Sequence, residues 1–260
     1  MKTVVPKVFL VGETRIVPEG LEQFLEHVGA PEWKSDAPSD SELLCEVMGR
    51  LCYRSFSPGL NPNVTRVREG NKPYLSNILQ VGHGSVLEHA SLNFIFADVS
   101  RVVTHELVRH RAGVAISQES LRFVRLDNLS AYVPVHIREN EKGMEVFVRT
   151  IEHLEELQRE LAEIYQINEE KQFDVKKKLT SAFRRIAPIG LATTIGWSCN
   201  FRTVRHVIEM RTDPHAEEEI RFLFAEVYRL VCERYPNLFS DYEVEMVDGL
   251  PWVKTGNRKV

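Results

Sequence analysis

Arginine is distributed unevenly along this chain, and the unevenness is the first sign of chemistry. Between residues 101 and 125 there are five arginines and no lysine, and between 179 and 222 six arginines and again no lysine. Lysines gather instead in a solvated run, Lys171 and Lys176 to Lys178. A guanidinium offers a planar fork of donors that grips phosphate or carboxylate bidentately, which an ammonium point charge cannot do. Two arginine-only segments in a chain of net charge -4 therefore point to a buried anion site. Any one of these arginines taken alone reads better as a surface ion-pair partner.

Other chemistries fit less well. His83, Glu88, His89, His105 and His110 lie close in sequence, and HELVRH nearly mimics a zinc-protease motif, but it is one residue too long. On a regular helix residues i and i+5 lie about 140° apart, so His105 and His110 cannot converge on one ion, and no metal is expected. The Gly-x-Gly of VGHGSVLEH lacks the third glycine of a dinucleotide fingerprint. Cys45, Cys52, Cys199 and Cys232 show no CxxC spacing and read as reduced packing residues. Cys199, beside Asn200 and near Arg202, is the only nucleophile candidate, and packing is the better reading there too.

The triplet Arg109-His110-Arg111 is followed by Ser117-Gln118-Glu119-Ser120-Leu121-Arg122. Cations at a helix C-terminus complement its dipole, which accounts for the triplet but not for the polar run after it. Here the chain resembles the flavin-dependent thymidylate synthases, which carry an Arg-His-Arg triplet with a serine and an arginine downstream. Eight residues, Ala112 to Glu119, separate the triplet from Ser120, one more than the family's commonest spacing. GHGSVLEHA at 82–90 is similar to the family's Gly-His-x-Ser/Thr-x-x-Glu-His segment. Asn200-Phe201-Arg202, His206, the run Met210 to Ala216 and Glu219-Ile220-Arg221 resemble its closing motif. Three blocks in register make the match specific over roughly residues 45 to 235.

The resemblance implies reductive methylation of dUMP to dTMP. Methylenetetrahydrofolate gives the carbon, FAD carries the hydride and NADPH reduces the flavin. It implies that Arg211 polarises the uracil ring and that Glu106, Arg109, Gln118, Ser120, Leu121, Arg122 and Arg184 meet the nucleotide, with Arg185 a competitor for the place of Arg184. Ser85, Arg109, His110, Arg111, Gln118, Asn200, Arg202 and His206 fall to FAD. It also implies a homotetramer with sites built from several subunits. Two rival readings stay open: a paralogue acting on another uridine nucleotide such as UMP, and a nucleotide- or RNA-binding module without turnover.

The elements that must position these residues can be read from pattern. MKTVVPKVFLVGETR reads as a strand, since its apolar stretch is short, broken and without a cleavage site. Ser57 to Pro73 is a long Pro/Gly/Asn-rich loop. Ala90 to Phe96 alternates as a strand, and Asp98 or Ser100 can cap a helix running through the triplet. VAISQESLRFVRL returns to extended structure, and two helices occupy 144–185 until Pro188 and Gly190 end them. GLATTIGWSC is a strand, Asn200 an N-cap, and FRTVRHVIEMR a helix with Val204, Val207 and Ile208 inward and Arg211 on the same stripe. Asp213 and Pro214 open the last long helix.

Strands separated by long helices without regular alternation predict an α+β fold, a mainly antiparallel central sheet with helical elaborations in one domain over 1–260. A pI near 6.2 argues against nucleic acid as the partner. No stretch approaches the ~20 apolar residues of a membrane span, so a cytoplasmic enzyme is expected.

Overall fold

Residues 91–100 and 192–200 alternate between apolar and polar, and in the computed structural model both are strands. Residues 1–122 and 128–257 are described. In chain order the elements are β1 (Lys2–Thr3), β2 (Lys7–Glu13), α1 (Pro18–Val28), α2 (Asp40–Tyr53), α3 (Asn71–Val81), β3 (Ser91–Ser100), α4 (Arg101–Leu107), β4 (Val114–Gln118) and β5 (Ser130–Ala131). There follow α5 (Val135–Arg138), α6 (Glu141–Ile164), α7 (Phe173–Phe183), β6 (Ala192–Asn200), α8 (Phe201–Arg211), α9 (Glu218–Arg234), β7 (Glu243–Val247) and β8 (Leu250–Lys254). Short 3₁₀ turns cover Gly84–Glu88 and Arg184–Ile186. The fold is α+β, as expected, with an antiparallel sheet of strand order β2-β3-β6-β4.

Two compact units divide the chain. The first comprises Met1–Phe9, Ile95–His110 and Ile116–Trp197; the second comprises Leu10–Phe94, Arg111–Ala115 and Ser198–Val260. In the first, Phe96 and Trp197 pack with ring centroids 5.8 Å apart. A further cluster there joins Leu121, Leu129, Ile151 and Leu191. In the second, Leu92, Phe94, Phe201, Val204, Val207 and Ile208 are buried with Ile220, Leu223 and Phe224. Phe201 meets Tyr235 edge-on at 4.8 Å. This core is closed by a buried polar network: Arg50 is gripped by Glu46, Asn71 donates to the same carboxylate, and Asn237 donates to Asn71.

Local chemistry explains most boundaries. The N-terminal strand is broken around Pro6, which has no N–H for a ladder. Ser100, not Asp98, caps α4, accepting from the Val103 N–H, while Asp98 stays in β3 at φ 60°. Asn140 caps α6 by accepting from Gly143, so that helix starts three residues before the predicted 144. Three expectations need correction. The loop after Ser57 ends at Gly70, whose φ of 82° stops the extended path, so residues 71–73 already belong to α3. Helix α4 stops at Leu107 instead of running through the triplet. The last long helix begins at Glu218, not after Asp213: the Asp213 carboxylate is turned back onto the His215 N–H, and Glu217 caps the helix through Glu219 and Ile220. The expected extended run over Phe123 to Leu126 lies outside the described residues. No helix among those described is long and apolar enough to cross a membrane.

Candidate active site

Asn200 ends β6 and caps α8, with extended backbone and its Oδ1 accepting from Thr203 N–H at 2.8 Å. Two segments far away in sequence are tied to this helix end. Arg202 Nη1 donates to Glu88 Oε1 at 2.5 Å, which links it to the 3₁₀ turn carrying Ser85. Thr203 Oγ1 donates to Ala112 O at 2.8 Å, and Asn200 N–H donates to Gly113 O at 3.2 Å, which links it to the segment after Arg111. Gly113 has φ +66°, and a Cβ there would lie 2.4 Å from Asn200 Nδ2 and 2.7 Å from Thr203 Oγ1, so glycine is required for this approach.

Around this end Ser85, Arg111, Arg202 and His206 are all exposed. The positive end of the α8 dipole, two guanidiniums, an imidazole and a hydroxyl together make a receptor for a polyanion. A diphosphate such as that of FAD fits this donor set.

The first unit holds a second group. Arg101, the first residue of α4, donates from Nη2 to Glu119 O at 3.1 Å, while its buried Nε has no hydrogen-bond partner among the described residues. The Glu119 carboxylate is held by Thr194 N–H at 2.8 Å and Thr193 Oγ1 at 3.4 Å. Gln118 Nε2 donates to Thr104 Oγ1 at 3.3 Å. Ser120 is half-buried and its Oγ accepts from Arg122 N–H, while the Leu121 side chain between them is buried with Leu129, Ile151 and Leu191. Leu121 thus anchors the Ser-x-Arg turn by packing. Burial lowers the Arg101 pKa, and the nearby Arg184 charge lowers it further. Arg184 is half-buried, whereas Arg185 is exposed. Two cations held near each other, one with a buried orphan donor, form a cradle that an anion would satisfy.

Of the triplet, Arg109 and His110 belong to the first unit and Arg111 to the second. Past the end of α4 the chain turns through Arg109 N–H to Glu106 O and His110 N–H to Leu107 O. Arg109 is exposed; Glu106 and His110 are half-buried.

Along α8, Val204, Val207 and Ile208 are buried as expected, but Arg211 at its far end is only half-buried. The wholly buried arginine of this helix is Arg205, whose fork meets Asp241 at 2.9 and 2.8 Å. Cys199 is buried, and burial pushes its thiol well above the ordinary value; Cys45 is pushed up to about 12 by burial and by Glu42. Neither thiol is primed as a nucleophile. Cys52, expected to pack, is exposed. Sequence reasoning gave no role to Arg101, Glu88 or Arg205; Arg101 stood first in the arginine-only run and Glu88 inside the GHGSVLEHA block, so two of the three carried a signal.

Residues 35–237 match the family model described as Thymidylate synthase complementing protein. A flavin-dependent thymidylate synthase of Corynebacterium glutamicum is 36% identical over 225 residues, covering 84% of this chain and 86% of that protein. Another, of Mycobacterium marinum, is 35% identical over 231 residues, covering 87% and 89%. The crystal structure of Thymidylate Synthase X from Helicobacter pylori with FAD and dUMP superposes with a TM-score of 0.58 at 21% identity, covering 91% of this chain and 98% of that one. The chain belongs to the flavin-dependent thymidylate synthases.

Proposed function

We propose that this enzyme methylates dUMP to dTMP reductively, with methylenetetrahydrofolate as carbon donor, FAD as hydride carrier and NADPH as the reductant of the flavin. The observation that carries the reading is the convergence of three motif segments, at Glu88, Ala112 and Arg202, on the N-terminal end of α8. When bound, FAD supplies the hydride-transfer chemistry. The chain's own residues bind, orient and stabilise charge, which accords with the buried, unactivated thiols of Cys45 and Cys199 and a site made of arginines, amides and hydroxyls.

Ser85, Arg109, His110, Arg111, Gln118, Asn200, Arg202 and His206 hold FAD. Glu106, Arg109, Gln118, Ser120, Leu121, Arg122 and Arg184 hold the nucleotide, Leu121 through its backbone and by anchoring its neighbours. Arg211 donates to the uracil ring as negative charge builds on it. The proximity of Arg184 to Arg101 supports Arg184 over the exposed Arg185. The enzyme works as a cytoplasmic homotetramer with sites drawn from several subunits. Support for self-association comes from apolar strand residues left open in one chain, Phe9 at 48%, Val11 at 58% and Ile95 at 38% exposure.

Ligand titration tests the reading. FAD at about a hundred times its Kd should stabilise the fold by about 2.7 kcal/mol and shift the flavin spectrum, and dUMP should bind more tightly than UMP by calorimetry. Absence of any FAD response overturns the proposal, and a preference for UMP redirects it to another uridine nucleotide.

A further inference from the structure

Arg211 is the last residue of α8, where a helix has no further turn to hold it and fraying is the default. A side chain assigned to a developing charge tolerates little wander, since a misplacement on the order of 1 Å costs about a hundredfold in rate. Something outside the helix must hold its end.

The segment after residue 237, where the family match stops, does so. Strands β7 and β8 form a hairpin in which Val247 pairs with Leu250 across Asp248 and Gly249. Those two residues have φ 54° and 75°, the left-handed pair that a two-residue turn of matching twist requires. The hairpin grips α8 next to Arg211: Val253 N–H donates to Thr212 Oγ1 at 3.0 Å, and the same hydroxyl donates to Ile208 O at 2.8 Å. Thr212 is completely buried. Its hydroxyl is thereby used as both acceptor and donor, closing the last turn of α8 and pinning it to β8.

Two further ties set the hairpin in place. Asp241 takes both arms of the Arg205 guanidinium and also accepts from Thr255 Oγ1 at 2.7 Å and Asn257 Nδ2 at 2.9 Å, which joins mid-α8 to the end of β8. Arg221 of α9 donates to Val247 O at 2.9 Å, at the hairpin turn. The helix is held at Arg205 and at Thr212, two points about two helical turns apart, so both its rotation and its C-terminal end are fixed.

We propose that the C-terminal hairpin is a brace for Arg211, with Thr212 as the positioning residue that transmits it; this rests on the assignment of Arg211 to the uracil ring. Thr212→Val keeps the shape and removes the hydroxyl. It should lower turnover of the FAD-loaded enzyme about tenfold to a hundredfold, leave FAD affinity unchanged because none of the residues assigned to the cofactor lies in the last turn of α8, and speed amide hydrogen exchange around 209–213. Thr212→Ser, which retains the hydroxyl, should restore turnover and protection together. In the unsubstituted chain the Val253 amide should be protected; exchange at the rate of an open hairpin overturns the brace whether or not any variant folds. Arg211→Ala run alongside separates the two ideas. If it abolishes turnover while Thr212→Val turns over normally, the brace fails and the assignment stands. If Arg211→Ala turns over normally, the assignment fails, and the exchange data alone decide whether the hairpin holds the helix end.

Discussion

Arg202 and Glu88, 114 positions apart in the chain, share a 2.5 Å hydrogen bond with both side chains nearly half exposed. An exposed pair of this kind contributes between about 0 and 1 kcal/mol to stability, so its value lies in aiming the guanidinium. Glu88→Gln keeps an acceptor but removes the charge, and Arg202→Ala removes the donor. Both should leave the melting temperature nearly unchanged while weakening FAD binding, about tenfold or more for Arg202→Ala. A normal FAD titration for Arg202→Ala would remove Arg202 from the cofactor set.

Arg184 and Arg185 can be told apart by one pair of substitutions. Arg184 lies close enough to Arg101 for their charges to repel, whereas Arg185 is exposed. Arg184→Ala should raise the melting temperature of the nucleotide-free protein slightly, by relieving that repulsion, and weaken dUMP binding about tenfold to a hundredfold. Arg185→Ala should do neither. The reverse pattern in calorimetry would transfer the role to Arg185.

What could be read from sequence was what local chemistry decides. Strand β6, the Asn200 cap and α8 from Phe201 to Arg211 were legible because alternation, a capping amide and a 3.6-residue stripe all act within a few residues. The start of α9 was not, because Asp213 had two local uses, and the His215 turn took precedence over a cap. The buried arginine was misjudged for a different reason. Arg205 and Arg211 both border the apolar stripe of α8, and what draws Arg205 inward is Asp241, 36 residues downstream, whose position no periodicity reveals. The donor set at the start of α8 was legible as residue types, but its assembly depends on long-range ties through Glu88, Ala112 and Gly113.

The same Arg205–Asp241 pair has a signature in acid. Burial raises the Asp241 pKa, but the hydrogen bonds and charge of Arg205, helped by Thr255 and Asn257, outweigh it and leave the value lowered. Glu13 is lowered too, chiefly by the hydrogen bond from Arg234. A carboxylate lowered in the fold contributes stability above its unfolded value, about 3.9 to 4.3, and loses it as the pH falls through the lower folded value. The melting temperature should therefore drop on acidification below about pH 4. Asp241→Asn should be less stable at pH 7, on the order of 3 kcal/mol, because the Arg205 charge is left buried. Its acid limb should also be shallower. An acid limb as steep as that of the parent would show that other groups govern it.

Arg211 separates catalysis from structure. Arg211→Ala and Arg211→Lys should both lose about a hundredfold to a thousandfold in turnover, or ~3–4 kcal/mol, while fold and FAD affinity persist. Lysine should not rescue, because an ammonium cannot present two coplanar donors. A large fall in melting temperature with normal turnover per folded molecule would make Arg211 a structural residue.

The most direct measurement is dTMP formation by the purified, FAD-loaded protein given dUMP, methylenetetrahydrofolate and NADPH, with each component withheld in turn and UMP substituted for dUMP. The expected result is dTMP formed only when all components are present, with UMP methylated far more slowly or not at all. A protein that binds FAD and dUMP yet forms no dTMP, or one that methylates UMP in preference, would contradict the proposed reaction.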